Sequence, residues 1–142
     1  MKNVLGLLVS FILLSQPLLA QTAEKTLSKS FNTENTGKVL LNLPGEIDLR
    51  VWDQPTIRVE IKIQLPGKSQ SMLNELANVG RYNLISSVEE NSLLIQPKNM
   101  QKQITVGGEL LIENLSFQVF LPRDMEVEMS GPAALANNQG EK

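Results

Sequence analysis

The chain has 142 residues with a formal net charge of −2, and 42% of its residues are apolar and 20% are charged, which fits one folded domain of ordinary size. It contains no histidine and no cysteine. Their absence excludes most kinds of catalytic and metal-binding site and any disulfide framework. Basic residues are spread singly, which argues against nucleic acid or an anionic membrane surface as a partner.

Residues 1–20 have the pattern of a secretory signal peptide. Lys2 precedes an apolar stretch at residues 4–14, and the segment ends at Ala20, where we expect cleavage. The stretch is about half of the ~20 residues that a spanning helix needs, so an uncleaved anchor is the weaker alternative. We therefore expect an exported protein without a membrane span, located in the periplasm, at the outer membrane surface or outside the cell.

The remaining chain divides into three segments. Residues 21–30 are polar and small, which predicts a mobile leader or, alternatively, a strand that pairs late at a sheet edge. Residues 31–129 carry strand patterns throughout and form the predicted β domain. Residues 130–142 are small, polar and without pattern, and we interpret them as a disordered tail or a truncated next coil.

The first part of the β domain contains three predicted strands. Residues 38–43 place Val39, Leu41 and Leu43 on one face, residues 46–52 alternate apolar and polar side chains, and residues 56–65 do so without an error in either register. Short turns at residues 44–45 and 53–55 join the three strands. Short connections of this kind favour an antiparallel meander or tightly wound β-coils over crossovers through helices.

The second part begins with one predicted helix, with Ser71 as its N-cap, apolar residues at helical spacing from Met72 to Val79, and Gly80 at its C-terminal end. Strands follow at residues 82–88 and 92–96, and Gly107 with Gly108 predicts a tight hairpin. The last predicted strands cover residues 115–121 and 126–129. The predicted fold is all-β, an antiparallel meander or sandwich with one short helix, with the alternative that its C-terminal end grades into a β-solenoid-like stack.

The sequence offers few groups for catalysis. It has no Gly-x-Ser-x-Gly elbow and no Asp-rich calcium loop. Three pairs of neighbouring carboxylates could serve as acid and base: Glu46 with Asp48, Glu89 with Glu90, and Glu126 with Glu128. Since nothing near them indicates a desolvating pocket, we interpret them as solvated surface and expect no enzyme, no cofactor and no metal.

Trp52 is the one tryptophan of the chain, and it follows Glu46, Asp48 and Arg50 on the polar side of a predicted strand. Together these residues form a speculative ligand face, on which the indole could stack against a sugar or a peptide. The alternative is that the strand bends after Trp52 and the indole packs over the sheet edge, because tryptophan is usually buried.

Residues 45–53, Gly-Glu-Ile-Asp-Leu-Arg-Val-Trp-Asp, run into the alternating strand at 56–62 and are followed by Asn-Ser-Leu-Leu-Ile-Gln at 91–96 and Phe-Gln-Val-Phe-Leu-Pro at 117–122. This succession resembles the putative auto-transporter adhesin domains, including the head GIN type, of exported bacterial proteins. The resemblance implies stacked β-coils and an adhesin-like role. Family members usually continue through further coils, whereas this sequence loses its pattern after Met129.

The sequence therefore predicts a non-catalytic exported envelope protein, a structural or adhesin-like β module. The alternative is a periplasmic domain that senses a ligand or a partner through Trp52 and the charged residues beside it. The envelope or surface partner is unknown, and an open β edge would permit self-association.

Overall fold

A computed structural model describes residues 21–132, in which ten strands and one helix form two packed four-stranded sheets and a short hairpin. In chain order the elements are β1 (Thr22–Asn32), β2 (Lys38–Asn42), β3 (Glu46–Trp52), β4 (Thr56–Pro66), α1 (Gln70–Asn78), β5 (Leu84–Glu89), β6 (Ser92–Pro97), β7 (Thr105–Val106), β8 (Glu109–Leu110), β9 (Asn114–Pro122) and β10 (Glu126–Ser130). The predicted all-β class with one short helix is confirmed. The predictions for residues 1–20 and 133–142 lie outside the described residues.

The two sheets are mixed, so of the two predicted arrangements the antiparallel meander is wrong, whereas the sandwich of two packed sheets is present. Sheet A has the order β1-β4-β9-β3 and sheet B the order β10-β2-β6-β5. The pairs β3–β9, β2–β6 and β2–β10 are parallel, and the pairs β1–β4, β4–β9 and β5–β6 are antiparallel. Although a short turn joins β3 to β4, β9 lies between them. A short turn limits how far the chain travels, but it does not oblige the two strands to pair.

Two units of the chain pass between the sheets and pair with each other in both of them. β2 leads from sheet B into β3 of sheet A, and β9 leads from sheet A into β10 of sheet B, while β3 pairs with β9 and β2 with β10. The first crossing is tight, because a Cβ atom on Gly45 would lie 2.4 Å from the backbone oxygen of Leu115. These two crossings link the sheets, and the β-solenoid-like stack at the C-terminal end stays a prediction.

The core lies between the sheets, and β4 contributes its longest continuous face. The inward side chains of β4 are at most 3% exposed, as the alternation predicted. They are Ile57, Val59, Ile61, Ile63 and Leu65. β2, β6 and β9 add further buried aliphatic and aromatic residues to the same cluster.

Residues 22–30 belong to β1, so the prediction of a mobile leader is wrong and the edge-strand alternative is right. β1 pairs with the whole length of β4. Its inward positions include two lysines that hide the strand pattern: Lys25 donates to the Oδ1 of Asn74 at 2.9 Å, and Lys29 donates to the carbonyl of Leu84 at 2.7 Å. A lysine can occupy such a position because its stem packs on apolar surface while its amine finds an acceptor.

The N-cap of α1 lies two residues before the predicted one. Ser69, not Ser71, caps α1, and its hydroxyl accepts a hydrogen bond from the N–H of Met72 at 3.2 Å. Gly80 has a φ of +78° directly after the helix end, as predicted. Within residues 21–132, no helix has both the length and the apolar character needed to cross a bilayer.

Candidate functional site

The four residues of the predicted ligand face lie together on the outer surface of sheet A. Glu46, Asp48, Arg50 and Trp52 occupy alternate positions of β3, which remains regular through Trp52. Glu46 and Asp48 line an open groove of about 580 Å³, whose walls also include side chains from β1, β4 and β9, whereas Arg50 and Trp52 lie outside it. The structure therefore joins these residues into one surface, which we call the β3 outer face.

Asp48 is the most heavily bonded member of the β3 outer face. Its Oδ2 accepts hydrogen bonds from Gln118 Nε2 at 3.0 Å and from Arg50 Nε at 2.9 Å. These bonds favour the ionised carboxylate, so the pKa of Asp48 lies below its usual range, with Gln118 as the largest cause and Arg50 as the next. Asp48 is therefore an ionised carboxylate at the surface, and such a group is a poor proton donor.

Several other outward charges of sheet A are also paired across or along strands. Glu24 of β1 accepts from Gln64 at 2.7 Å and lies 3.1 Å from the Lys62 amine, and both contacts lower its pKa, Gln64 most. Arg58 binds Glu60 at 2.8 Å. Exposed pairs of this kind contribute little to stability, because water screens them and ordering two long side chains costs entropy. They give sheet A a charged surface on which the Glu24 and Glu60 carboxylates are paired with donors.

Trp52 packs on the sheet instead of projecting into water. Its ring centroid lies 5.4 Å from that of Phe120, with an interplanar angle of 38°. Its Nε1 donates to the backbone carbonyl of Thr56 at 2.8 Å. Because the indole N–H already has an acceptor and one side of the ring meets Phe120, the geometry is that of a packed side chain at the sheet end.

The apolar side chains on the inner side of β3 are more exposed than the regular apolar–polar alternation of this strand would predict. Leu49 is 39% exposed and Val51 is 64% exposed, although both face the same side as the core. Their partners on β9, Val119 and Leu121, are at most 3% exposed. β3 is the last strand of sheet A among the described residues, and the sequence pattern alone could not show that its apolar face lies at an edge.

A buried charged cluster near the end of α1 was not predicted from the sequence. Arg81 is 6% exposed and binds Glu113 through two hydrogen bonds of 3.2 and 2.7 Å. It also donates to the carbonyls of Asn99 and Lys102 at 2.5 and 2.8 Å. Arg81 and Glu113 are 32 residues apart, so no local sequence pattern predicts that they pair. Because these donors are all engaged, the cluster holds the loop after β6 and the segment before β9 together.

Tyr82 completes the buried cluster. Its hydroxyl donates to Oε1 of Glu113 at 2.9 Å. Burial is the largest cause that raises the pKa of Tyr82 well above its ordinary value, and the hydrogen bond to the Glu113 carboxylate adds to it. The phenol therefore stays protonated at neutral pH and serves as a donor.

The other predicted carboxylate pairs are at the surface. Glu128 lies 2.6 Å from the Lys38 amine and Glu126 lies 3.9 Å from it, and the bond to Glu128 is the largest cause that raises the pKa of Lys38. Glu89 and Glu90 lie at the β5–β6 turn. Among residues 21–132, no three carboxylates are grouped in a way that could hold a metal ion.

No family model and no curated protein matches this chain significantly. Two solved structures are similar at 12% sequence identity, and each alignment covers 75% of this chain. One is a putative cell adhesion protein from Clostridium sporogenes, with a TM-score of 0.41 and 45% of that protein covered. The other is a putative lipid binding protein from Parabacteroides distasonis, with a TM-score of 0.36 and 38% covered. The chain thus spans less than half of either structure, and the family resemblance stays a prediction.

Proposed function

We propose that this chain is a non-catalytic, exported module of the cell envelope that works as a structural, adhesin-like scaffold. The observation that carries the proposal is the outer surface of sheet A, where charged and amide side chains bind one another within and between neighbouring strands. Such a surface is ordered and hydrated, and it suits contact with a partner better than proton transfer.

The electrostatics of this surface support the scaffold over an enzyme that uses a carboxylate pair. A general acid at neutral pH needs a carboxyl group whose pKa is raised by burial or by a like charge. Asp48 and Glu24 have the opposite shift, because amide and cationic donors stabilise their ionised forms. The carboxylates of sheet A are therefore suited to holding strands and partners in place.

Export is tested by fractionating cells that express the full chain. We expect to find the protein outside the cytoplasm. Its measured mass should be that of a chain beginning at Gln21, because residues 1–20 have the pattern of a signal peptide. Leu8→Arg breaks the apolar stretch and should leave the uncut chain in the cytoplasm, whereas Ser10→Ala keeps the stretch and should not. Retention of the unaltered chain in the cytoplasm would contradict the proposal.

The scaffold is distinguished from the ligand-sensing alternative by the fluorescence of Trp52, the single tryptophan of the chain. The purified protein is titrated with glycans and with soluble envelope fragments. We expect no saturable change, because the indole is already packed on Phe120 and bonded to the Thr56 carbonyl. A saturable change that Asp48→Asn weakens would favour sensing at the β3 outer face and overturn the scaffold.

A further inference from the structure

The outer strands of sheet A differ in how their free edges are protected. β1 carries the inward-pointing cations Lys25 and Lys29 and is contacted by α1. Inward charges and a covering helix are common ways in which natural sheets prevent an edge from pairing with another chain. β3, at the opposite edge, has neither device among the described residues. Its inward positions are Ile47, Leu49 and Val51, all apolar.

The free edge of β3 therefore combines unpaired backbone groups with exposed apolar side chains. Val51 is 64% exposed and Leu49 is 39% exposed, while the β9 residues beside them are buried. A further strand laid along this edge would satisfy the backbone and extend the core face over both residues. The strand that fits must bring apolar side chains inward and complementary charges outward.

β3 itself meets this requirement when it is turned antiparallel. We propose that β3 is the edge through which two copies of this chain pair, with their β3 strands antiparallel and centred on Leu49. In this register Asp48 of each copy lies opposite Arg50 of the other, and Ile47 lies opposite Val51. Both copies then continue sheet A into one eight-stranded sheet.

The charges of β3 are self-complementary in this arrangement. Within one copy, Arg50 already binds Asp48 through Nε and NH2, each at 2.9 Å from the same oxygen. Paired strands place the same two groups directly across from each other twice, once on each side of the two-fold axis. Opposite charges that face each other across strands stabilise the pair, and a shift by one residue would expose the apolar side chains.

The neighbouring edge in sheet B lacks this complementarity. The inward residues of β10, Val127 and Met129, would match in an antiparallel self-pairing centred on Glu128. That register sets two Glu128 carboxylates against each other, and like charges across strands are destabilising. Self-pairing is thus favoured at β3 and opposed at β10.

This inference names the partner of the proposed scaffold and in that sense rests on the proposed function, but its test does not depend on export. The purified chain, with or without residues 1–20, is studied by analytical ultracentrifugation and native mass spectrometry over a wide concentration range. We expect a reversible monomer–dimer equilibrium. A strict monomer at every concentration would overturn the proposal.

Charge exchange tests the register itself. Arg50→Asp and Asp48→Arg each replace two attractive cross-strand contacts with repulsive ones, so each should weaken the dimer by about tenfold or more. The double variant D48R/R50D restores complementarity and should dimerise as the unaltered chain does. A mixture of the two single variants should form heterodimers in preference to either homodimer.

Val51→Lys and Val88→Lys form the matched control. Val51 of β3 and Val88 of β5 are both edge valines, 64% and 54% exposed. We expect V51K to abolish the dimer and V88K to leave it unchanged, while circular dichroism shows both variants folded. A dimer that survives V51K, or that V88K disrupts, would place the contact elsewhere. Single charge variants that dimerise normally would refute the register.

Discussion

Replacing Arg81 with methionine keeps an apolar stem at this position but removes the guanidinium group. Arg81 is 6% exposed, and its two bonds to Glu113, at 3.2 and 2.7 Å, disappear together with its donation to the carbonyls of Asn99 and Lys102. The Glu113 carboxylate then keeps the Tyr82 hydroxyl, at 2.9 Å. A largely buried charge is left with one of its three donors.

The expected loss of stability follows from this geometry. Removing one partner from a buried ion pair costs about 3–5 kcal/mol, because the other charge remains without compensation. The Glu113 side chain is 13% exposed and can gain some water, so we expect the lower end, about 3 kcal/mol. Since small domains have a total free energy of unfolding of roughly 5–15 kcal/mol, this is a large effect.

Urea unfolding followed by circular dichroism measures this loss, and Arg123→Met is the control. Arg123 binds Asp53 at 2.8 Å, but the two side chains are 71% and 77% exposed, so R123M should cost at most about 1 kcal/mol. The double variant R81M/E113M should be less destabilised than the two single variants added together, because no charge is left unpaired. If R81M lowers the free energy of unfolding by no more than R123M does, the buried cluster around Arg81 does not stabilise the fold in the way described.

Tyr82→Phe should lower the free energy of unfolding by about 1 kcal/mol at neutral pH through the lost hydrogen bond. Because the pKa of Tyr82 is raised by folding, the unaltered protein should lose stability as pH rises above about 10, where the unfolded phenol ionises, and Y82F should lose less over that interval. Equal pH profiles would contradict this. Ile61→Ala, at a position 3% exposed, should cost about 2–5 kcal/mol in urea unfolding, whereas Lys62→Ala on the other face should cost less than about 1 kcal/mol. Gly45→Ala places a methyl group 2.4 Å from a backbone oxygen and should lower the unfolding midpoint by an amount equivalent to about 1–3 kcal/mol. Gly37→Ala, which meets nothing within 4 Å, should not, and an equal response from both glycines would refute the packing explanation.

Local pattern predicted the strands well and their neighbours poorly. Alternation is a property of consecutive residues, so β4 could be recognised with its inward face correct. Pairing depends on which strands meet across the whole chain, and no pattern in β3 or β4 indicates that β9 lies between them. The parallel pairs and the two crossings between sheets were missed for the same reason.

Two further predictions were wrong because the side chains concerned can serve more than one structural role. Residues 21–30 were interpreted as a polar leader, although the stems of Lys25 and Lys29 cover the sheet and their amines reach Asn74 and the Leu84 carbonyl. Ser71 and Ser69 are chemically equivalent candidates for the N-cap, and only the path of the chain after β4 selects Ser69. For the candidate site, alternation correctly placed Trp52 and the charges of β3 on one face. It could not show that Asp48 meets Gln118, 70 residues away.

The position of β9 between β3 and β4 also constrains the order in which these strands can pair during folding. β3 and β4 are joined by three residues and are available early, whereas β9 begins at Asn114. During synthesis, the nearest partner for β3 is β4, and a local hairpin closes far faster than a contact across about 70 residues. That hairpin must open, or never form, before β9 can enter. We expect folding to be limited by the arrival of β9, with sheet A vulnerable to aggregation until then.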